Sequence, residues 1–244
     1  MDKKMDDENL SDQATDQKNF LQIKSIRTSS NAFLMKLKEG DIIIALDGKE
    51  VHQSYEDLSK ELKEIKERKV LTLCREGVFF NTFVEGSLGV ICEQVEYDKV
   101  PELNNFKLND FFKSDVLYHQ YELFKKPESI AILLNTSPTI LASLAPPLWM
   151  IQNRLWTLFS ITMLFYFFLF MISPWLFFIG WILKSWYVGT SQVDILRLFY
   201  RLGNYRLSSI FCAESEKEAQ ELSRKFDNKI DFYYSYLEPA ILED

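Results

Sequence analysis

The chain has 244 residues, 26% of them charged, with a formal net charge of −7 and an isoelectric point near 5.1. An acidic chain of this kind lacks the basic face that a phosphate backbone requires, so general nucleic-acid binding is excluded as a function class. The length suits one small folded domain, an apolar segment and a short second domain. Residues 1–19 are acidic and polar and contain no apolar stretch, so they read as a disordered lead and not as a signal peptide.

Phe20–Ile26 alternates apolar and polar side chains and predicts a strand. The following stretch to Gly40-Asp41 predicts a short helix, and Ile42–Val51 a strand interrupted by the tight-turn pair Asp47-Gly48. Ser54 and Asp57 have capping-box spacing and open a helix over 54–66. Its Leu58, Leu62 and Ile65 share one face, while the intervening Lys and Glu side chains are solvated. Strands follow at Lys69–Arg75 and Val78–Glu85, joined by Glu76-Gly77. The turn Gly86-Ser87-Leu88-Gly89 then leads into a strand over Val90–Val95. Residues 99–115 read as a linker or docking segment whose Phe106, Leu108, Phe111 and Phe112 can pack on either neighbour.

The next segment, 116–124, predicts a strand that pairs with another at Tyr205–Ala213. Pro146-Pro147 break the chain before residues 155–183, which run for 29 positions without a charge. Such a run belongs in a bilayer as helix. As one helix it would be about 43 Å long against a hydrocarbon core of about 30 Å. The expectation is therefore a transmembrane hairpin over about 150–189 broken at Ser173-Pro174, the alternative being one tilted span with a kink there. In the hairpin Lys184 falls near mid-depth and has to snorkel. Lys184, Arg197, Arg201 and Arg206 on the downstream side, with Arg154 upstream, put both flanks in the cytoplasm. Ser215 and Glu218 open a final helix by the same capping spacing.

The strand–helix–strand–turn–strand–helix–strand order of residues 20–98 resembles the PDZ family, above all through LKEGDIIIALDGKEV. The resemblance is to the bacterial, circularly permuted form, in which the strand flanking the ligand comes last. It implies that Gly86, Ser87, Leu88, Gly89 and Val90 form a carboxylate-binding loop. It also implies that the strand from Val90 and Ile91 accepts a peptide by β-augmentation, and that Tyr55 and Ser59 of the helix line the groove. Residues 116–226, through SPTILASLAPPLWMIQNRLWTLF and DILRLFYRLGNYRL, resemble an uncharacterised bacterial family of small membrane proteins. That resemblance implies two membrane helices and supplies no activity.

The fold class read from the sequence is α+β: a PDZ-like small β-barrel or sandwich with two helices, then a membrane helical hairpin flanked by a small αβ unit. No nucleotide-binding, zincin or paired-cysteine zinc motif occurs, and His52 and His119 are isolated. Cys74, Cys92 and Cys212 are widely spaced and read as free thiols in a reducing compartment. No enzyme activity, cofactor or metal is expected. The expected function is a bacterial inner-membrane adaptor whose PDZ-like domain recruits a protein or peptide, with the lipid bilayer as second partner and homo-oligomers as a further possibility. The alternatives are a structural subunit of a membrane complex and a regulator of a membrane protease.

Overall fold

The computed structural model describes residues 19–64, 67–96, 107–113 and 115–240. The acidic lead up to residue 18, Ile65 and Phe106 lie outside these residues, as does most of the stretch read as a linker, whereas Asn19, assigned to the lead from the sequence, begins the first strand. The chain divides into two compact units. One holds the described residues of Met1–Phe79 and Val84–Ser114, the other those of Phe80–Phe83 and Asp115–Asp244.

In the first unit β1 (Asn19–Ile26) runs antiparallel to β2 (Ile42–Leu46), with Leu21 opposite Ile43. Between them lies the short helix α1 (Asn31–Leu34). A hairpin joins β2 to β3 (Lys49–Glu50). Asp47 and Gly48 both have positive φ there, +47° and +73°, as a type I′ turn requires. The helix α2 (Tyr55–Glu64) follows, with Leu58 and Leu62 fully buried on one face. Ser54 caps its first turn by accepting from the Asp57 N–H at 3.4 Å and donating to the Asp57 carboxylate at 2.8 Å. β4 (Lys69–Arg75) pairs antiparallel with β2, and β5 (Val78–Val84) follows it. The last strand, β6 (Val90–Glu96), runs antiparallel to β1. Phe20, Ile42, Ile44, Ala45 and Cys74 form a core that Phe79, Val95 and Leu108 flank. Leu108 and Phe111, in the short helix α3 (Leu108–Phe111), thus pack on the first unit, where Phe111 meets Phe79 edge-on at 6.2 Å.

A buried ion pair organises the turn before β2. Arg75 of β4 donates twice to Asp41 at 2.7 Å, and its guanidinium also reaches the Lys36 carbonyl at 3.1 Å. Asp41 in turn accepts the Lys38 N–H at 2.7 Å, so the carboxylate is enclosed by donors.

In the second unit β7 (His119–Lys125) lies between β8 (Ile130–Asn135) and β9 (Arg206–Ala213), antiparallel to both. β10 (Asp231–Phe232) joins β8 in parallel. Asn81 of β5 pairs with Cys212 of β9. The final helix α8 (Glu216–Phe226) is capped by Ser215, which accepts from the Glu218 N–H at 3.3 Å. Its Phe226 packs against Phe80 and Phe211. Three helices precede the long one: α4 (Ile140–Leu144), α5 (Pro146–Gln152) and α6 (Trp156–Ile172). The long helix, α7, spans Pro174–Leu202.

Two polar contacts seat α7 in this unit. The carboxylate of Glu122 in β7, whose side chain is 1% exposed, pairs with Arg197, which donates through Nε at 3.0 Å and again through Nη2. Buried Gln192 accepts from the Thr139 N–H at 2.9 Å and from the Thr139 hydroxyl at 3.0 Å, so it caps the start of α4. Trp149, Phe124, Leu155, Val188 and Leu196 fill the core below.

The membrane hairpin expected over 150–189 is overturned. Among the described residues no helix is long and apolar enough to cross a membrane. The reason lies in Ser173-Pro174. Pro174 has no N–H to continue α6, so the uncharged run splits into 17 residues of α6, about 26 Å long, and the first ten residues of α7. Beyond them α7 carries Lys184, Asp194, Arg197 and Arg201, and it packs on the sheet. The transmembrane-helix and inner-membrane assignments fall with the hairpin, whereas the α+β class stands. α6 and the start of α7 pack against each other through Tyr166 and Phe177, 5.6 Å apart. Phe165, Phe168, Phe170, Trp175 and Phe178 remain on their exposed faces.

Arg197→Leu leaves the Glu122 carboxylate buried without a cation, and we expect it to destabilise the second unit by about 3 kcal/mol. The double variant Glu122→Leu/Arg197→Leu is expected to be clearly milder, as read by chemical denaturation. Acid sensitivity has a separate source. A hydrogen bond from Lys125 holds the Asp227 carboxyl below the usual carboxylate range. A depressed carboxyl contributes stability above its unfolded pKa of about 3.9 and loses it as pH falls through the folded value. The pair is about a third exposed, so the effect is under about 1 kcal/mol. Lys125→Ala is expected to flatten that acid limb in melts taken between about pH 6 and 3.

Candidate peptide groove

The loop between β5 and β6 is held from the side by α1. Ser30 caps α1, accepting from the Phe33 N–H at 3.3 Å and donating to the Arg27 carbonyl at 2.7 Å. Asn31 donates from its side-chain amide to the Glu85 and Ser87 carbonyls, both at 3.0 Å. The Ala32 N–H donates to the Leu88 carbonyl at 3.0 Å. The loop's carbonyls therefore face α1. Leu88 is fully buried and anchors the loop from within.

Gly89 is the residue the geometry requires. Its φ is +70°, and a Cβ added there would stand 2.7 Å from the Ser30 Cβ. Among the described residues the N–H groups of Leu88 and Gly89 donate to no protein acceptor. The next N–H, of Val90, donates to the Tyr55 hydroxyl at 3.3 Å. Three consecutive N–H groups at a glycine turn form the kind of concavity that holds a carboxylate or a strand terminus. A side-chain oxygen already sits on the third.

β6 is the terminal strand in the hydrogen-bonded order. β1 pairs with one edge, and among the described residues no strand pairs with the other. Along it Val90 is buried, Ile91 is 51% exposed, and Glu93 pairs with Lys24 at 2.9 Å. Burial pushes the Cys92 thiol up to about 12, so it stays neutral at physiological pH. None of the three cysteines forms a disulfide.

The residues singled out from the sequence are brought together unevenly. Gly86, Ser87, Leu88 and Gly89 form one loop, Val90 and Ile91 start the open-edged strand, and the Tyr55 hydroxyl reaches the Val90 N–H from α2. Ser59, one turn further along α2, is half-buried and makes no hydrogen bond among the described residues. Sequence reasoning passed over Ser30 and Asn31. Ser30 carried a cap signal, an acceptor residue just before an apolar run. Asn31 binds carbonyls 54 and 56 positions away, which no local pattern reveals. His52 belongs to packing: its ring lies 5.0 Å from that of Phe20, and Nε2 is 2.8 Å from Glu50. The other histidine, His119, meets the Ser137 hydroxyl at 3.0 Å. Among the described residues no cluster of His, Cys, Asp and Glu could hold a metal.

No family model matches the sequence, and no curated protein is significantly similar to it. The two resemblances therefore rest on the residues that carry them.

Gly89→Ala places a Cβ in a left-handed conformation against Ser30, and we expect a loss of about 2 kcal/mol. Adding Ser30→Gly removes the collision and is expected to recover part of that loss in thermal melts. Tyr55→Phe deletes one hydrogen bond to a partly buried amide. It is expected to cost about 1 kcal/mol or less and to speed hydrogen exchange at the Val90 amide selectively.

Proposed function

We propose that the first unit is a PDZ-like protein-binding module that takes an extended peptide along β6, and that the protein acts as an adaptor and not as an enzyme. The observation that carries this reading is the unpaired edge of β6 next to a loop with two uncommitted N–H groups. Strand addition uses such an edge, with main-chain hydrogen bonds giving affinity and side-chain pockets giving choice. The loop donors would take the peptide's terminal carboxylate or its last carbonyls. In the free protein the Tyr55 hydroxyl occupies the Val90 N–H, and an incoming peptide oxygen displaces it. The adaptor reading does not depend on a helix that crosses a membrane.

The test is a display library of free C-terminal and internal peptides, selected on the full chain. Micromolar binders that lose affinity at least tenfold with Ile91→Glu, an exposed edge position, support the groove. Binders unaffected by that substitution, or an empty selection, reject it. C-terminal amidation of the selected peptides then decides whether the loop reads a carboxylate.

A second reading, a structural subunit of a larger assembly, has its own observation: the aromatic side chains left exposed on α6 and the start of α7. Patches of that extent on a folded protein mark interaction surfaces. Crosslinking of the full chain at low concentration distinguishes the two readings. A dominant self-product supports the subunit role, and a monomer that captures a peptide-bearing client supports the adaptor.

A further inference from the structure

The second unit contains a cleft of about 1000 Å³ that the peptide groove does not involve. It lies along α7 from Lys184 to Leu202, a distance of about 27 Å at the helical rise. Its volume is at the top of the range of about 300–1,000 Å³ for small-molecule pockets. The wall is mainly apolar, with Leu158, Val188, Ile195, Leu198 and Phe199 along its length. The cleft's charged lining residues are Lys126, Arg154 and Lys184, and no Asp or Glu lines it, although the chain as a whole carries a net charge of −7.

None of these three cations has an acidic partner among the described residues. Lys126 stands 4.6 Å from the centre of the Tyr205 ring, and Arg154 lies 3.7 Å over that of Tyr234. Lys184 is half-buried within α7. Aromatic faces hold two of the cations in position without neutralising them. Burial pushes the Tyr200 phenol up to about 12, so it stays uncharged and does not offset them either.

The rim is built rigidly. Buried Gln220 of α8 donates to the Tyr234 carbonyl at 2.7 Å and accepts the Tyr236 N–H at 2.8 Å, which ties the tail segment bearing Tyr233 and Tyr234 to the unit. Arg154 sits in a left-handed turn, φ +57°, between α5 and α6. At its other end the cleft shares Lys126 and Tyr205 with a smaller cavity of about 380 Å³ that also contains Arg201 and Arg206, against the single acid Glu128. The cleft and this cavity thus share Lys126 and Tyr205, with Arg201 and Arg206 beyond them.

We propose that this cleft binds one long-chain acyl anion, of the fatty-acid class, with the chain along α7 and the acidic head at Lys126, Arg201 and Arg206. The apolar wall accounts for the chain, and Lys126, which has no acidic partner among the described residues, accounts for the head together with Arg201 and Arg206 beside it. The binding is non-covalent and independent of the peptide groove.

The experiment is equilibrium dialysis of the full chain against radiolabelled oleate, with oleyl alcohol and inorganic phosphate in parallel arms. We expect saturable uptake of one oleate per chain and no measurable competition by phosphate. Saturated acids of decreasing length should weaken by up to about fourfold per methylene. Leu198→Asp, at a position 60% exposed and therefore harmless to folding, should weaken both oleate and the alcohol by at least about tenfold. Lys126→Gln should weaken oleate by about tenfold and leave the alcohol within about twofold. Both variants should keep the wild-type circular dichroism. Absent or unsaturable oleate uptake overturns the site. Uptake indifferent to Leu198→Asp places the chain elsewhere and overturns it too. Equal losses for oleate and alcohol in Lys126→Gln overturn the placement of the head.

Discussion

The arrangement of the second unit depends on one buried carboxylate. Glu122 stands on β7, between β8 and β9, with almost no solvent contact, and Arg197 of α7 is the cation that makes the position tolerable. An unpaired carboxylate there would be strongly destabilising, so the pair specifies where α7 lies and which face it turns to β7. Gln192, one and a half turns earlier, adds direction by capping α4. With α7 fixed by both, Val188 and Leu196 enter the core while Leu198 and Leu202 face out into the cleft.

The first unit solves a comparable problem at smaller scale. Asp41 is buried beneath the turn before β2 and is neutralised by Arg75, with the Lys38 N–H filling a further acceptor site. That arrangement fixes the turn, and α1 is fixed in its own way by Ser30 and Asn31. Asn31 donates its amide to two carbonyls of the 85–89 loop and so ties the loop to α1. The Tyr55 hydroxyl accepts the Val90 N–H, in keeping with the high cost of leaving polar groups unsatisfied.

Much of the local structure was legible in the residues. The alternation at Phe20–Ile26, the Asp47-Gly48 turn and the Ser54 and Ser215 caps follow from periodicity and turn chemistry that act within a few positions. The uncharged run at 155–183 was read wrongly because hydropathy is summed over sequence, whereas a helix is limited by its backbone. A proline at 174 ends one helix and begins another. The second continues through charged residues into a sheet-packed position that hydropathy does not encode. The turn before β6 was legible in the sequence because a glycine-bounded turn is a local pattern, while the contacts of Asn31 with it were not, because its partners are remote.

By itself the sequence determined the strands and helices of residues 20–95, the Ser54 and Ser215 caps and the acidic balance, since each depends on neighbours within one or two turns of chain. Only the tertiary structure decided that Arg197 meets Glu122, that Asn31 meets the 85–89 loop, and that three cations gather along an apolar cleft. Those contacts join residues tens of positions apart. They exist because burying apolar surface brings the chain together, and the few polar groups carried inside must then find one another.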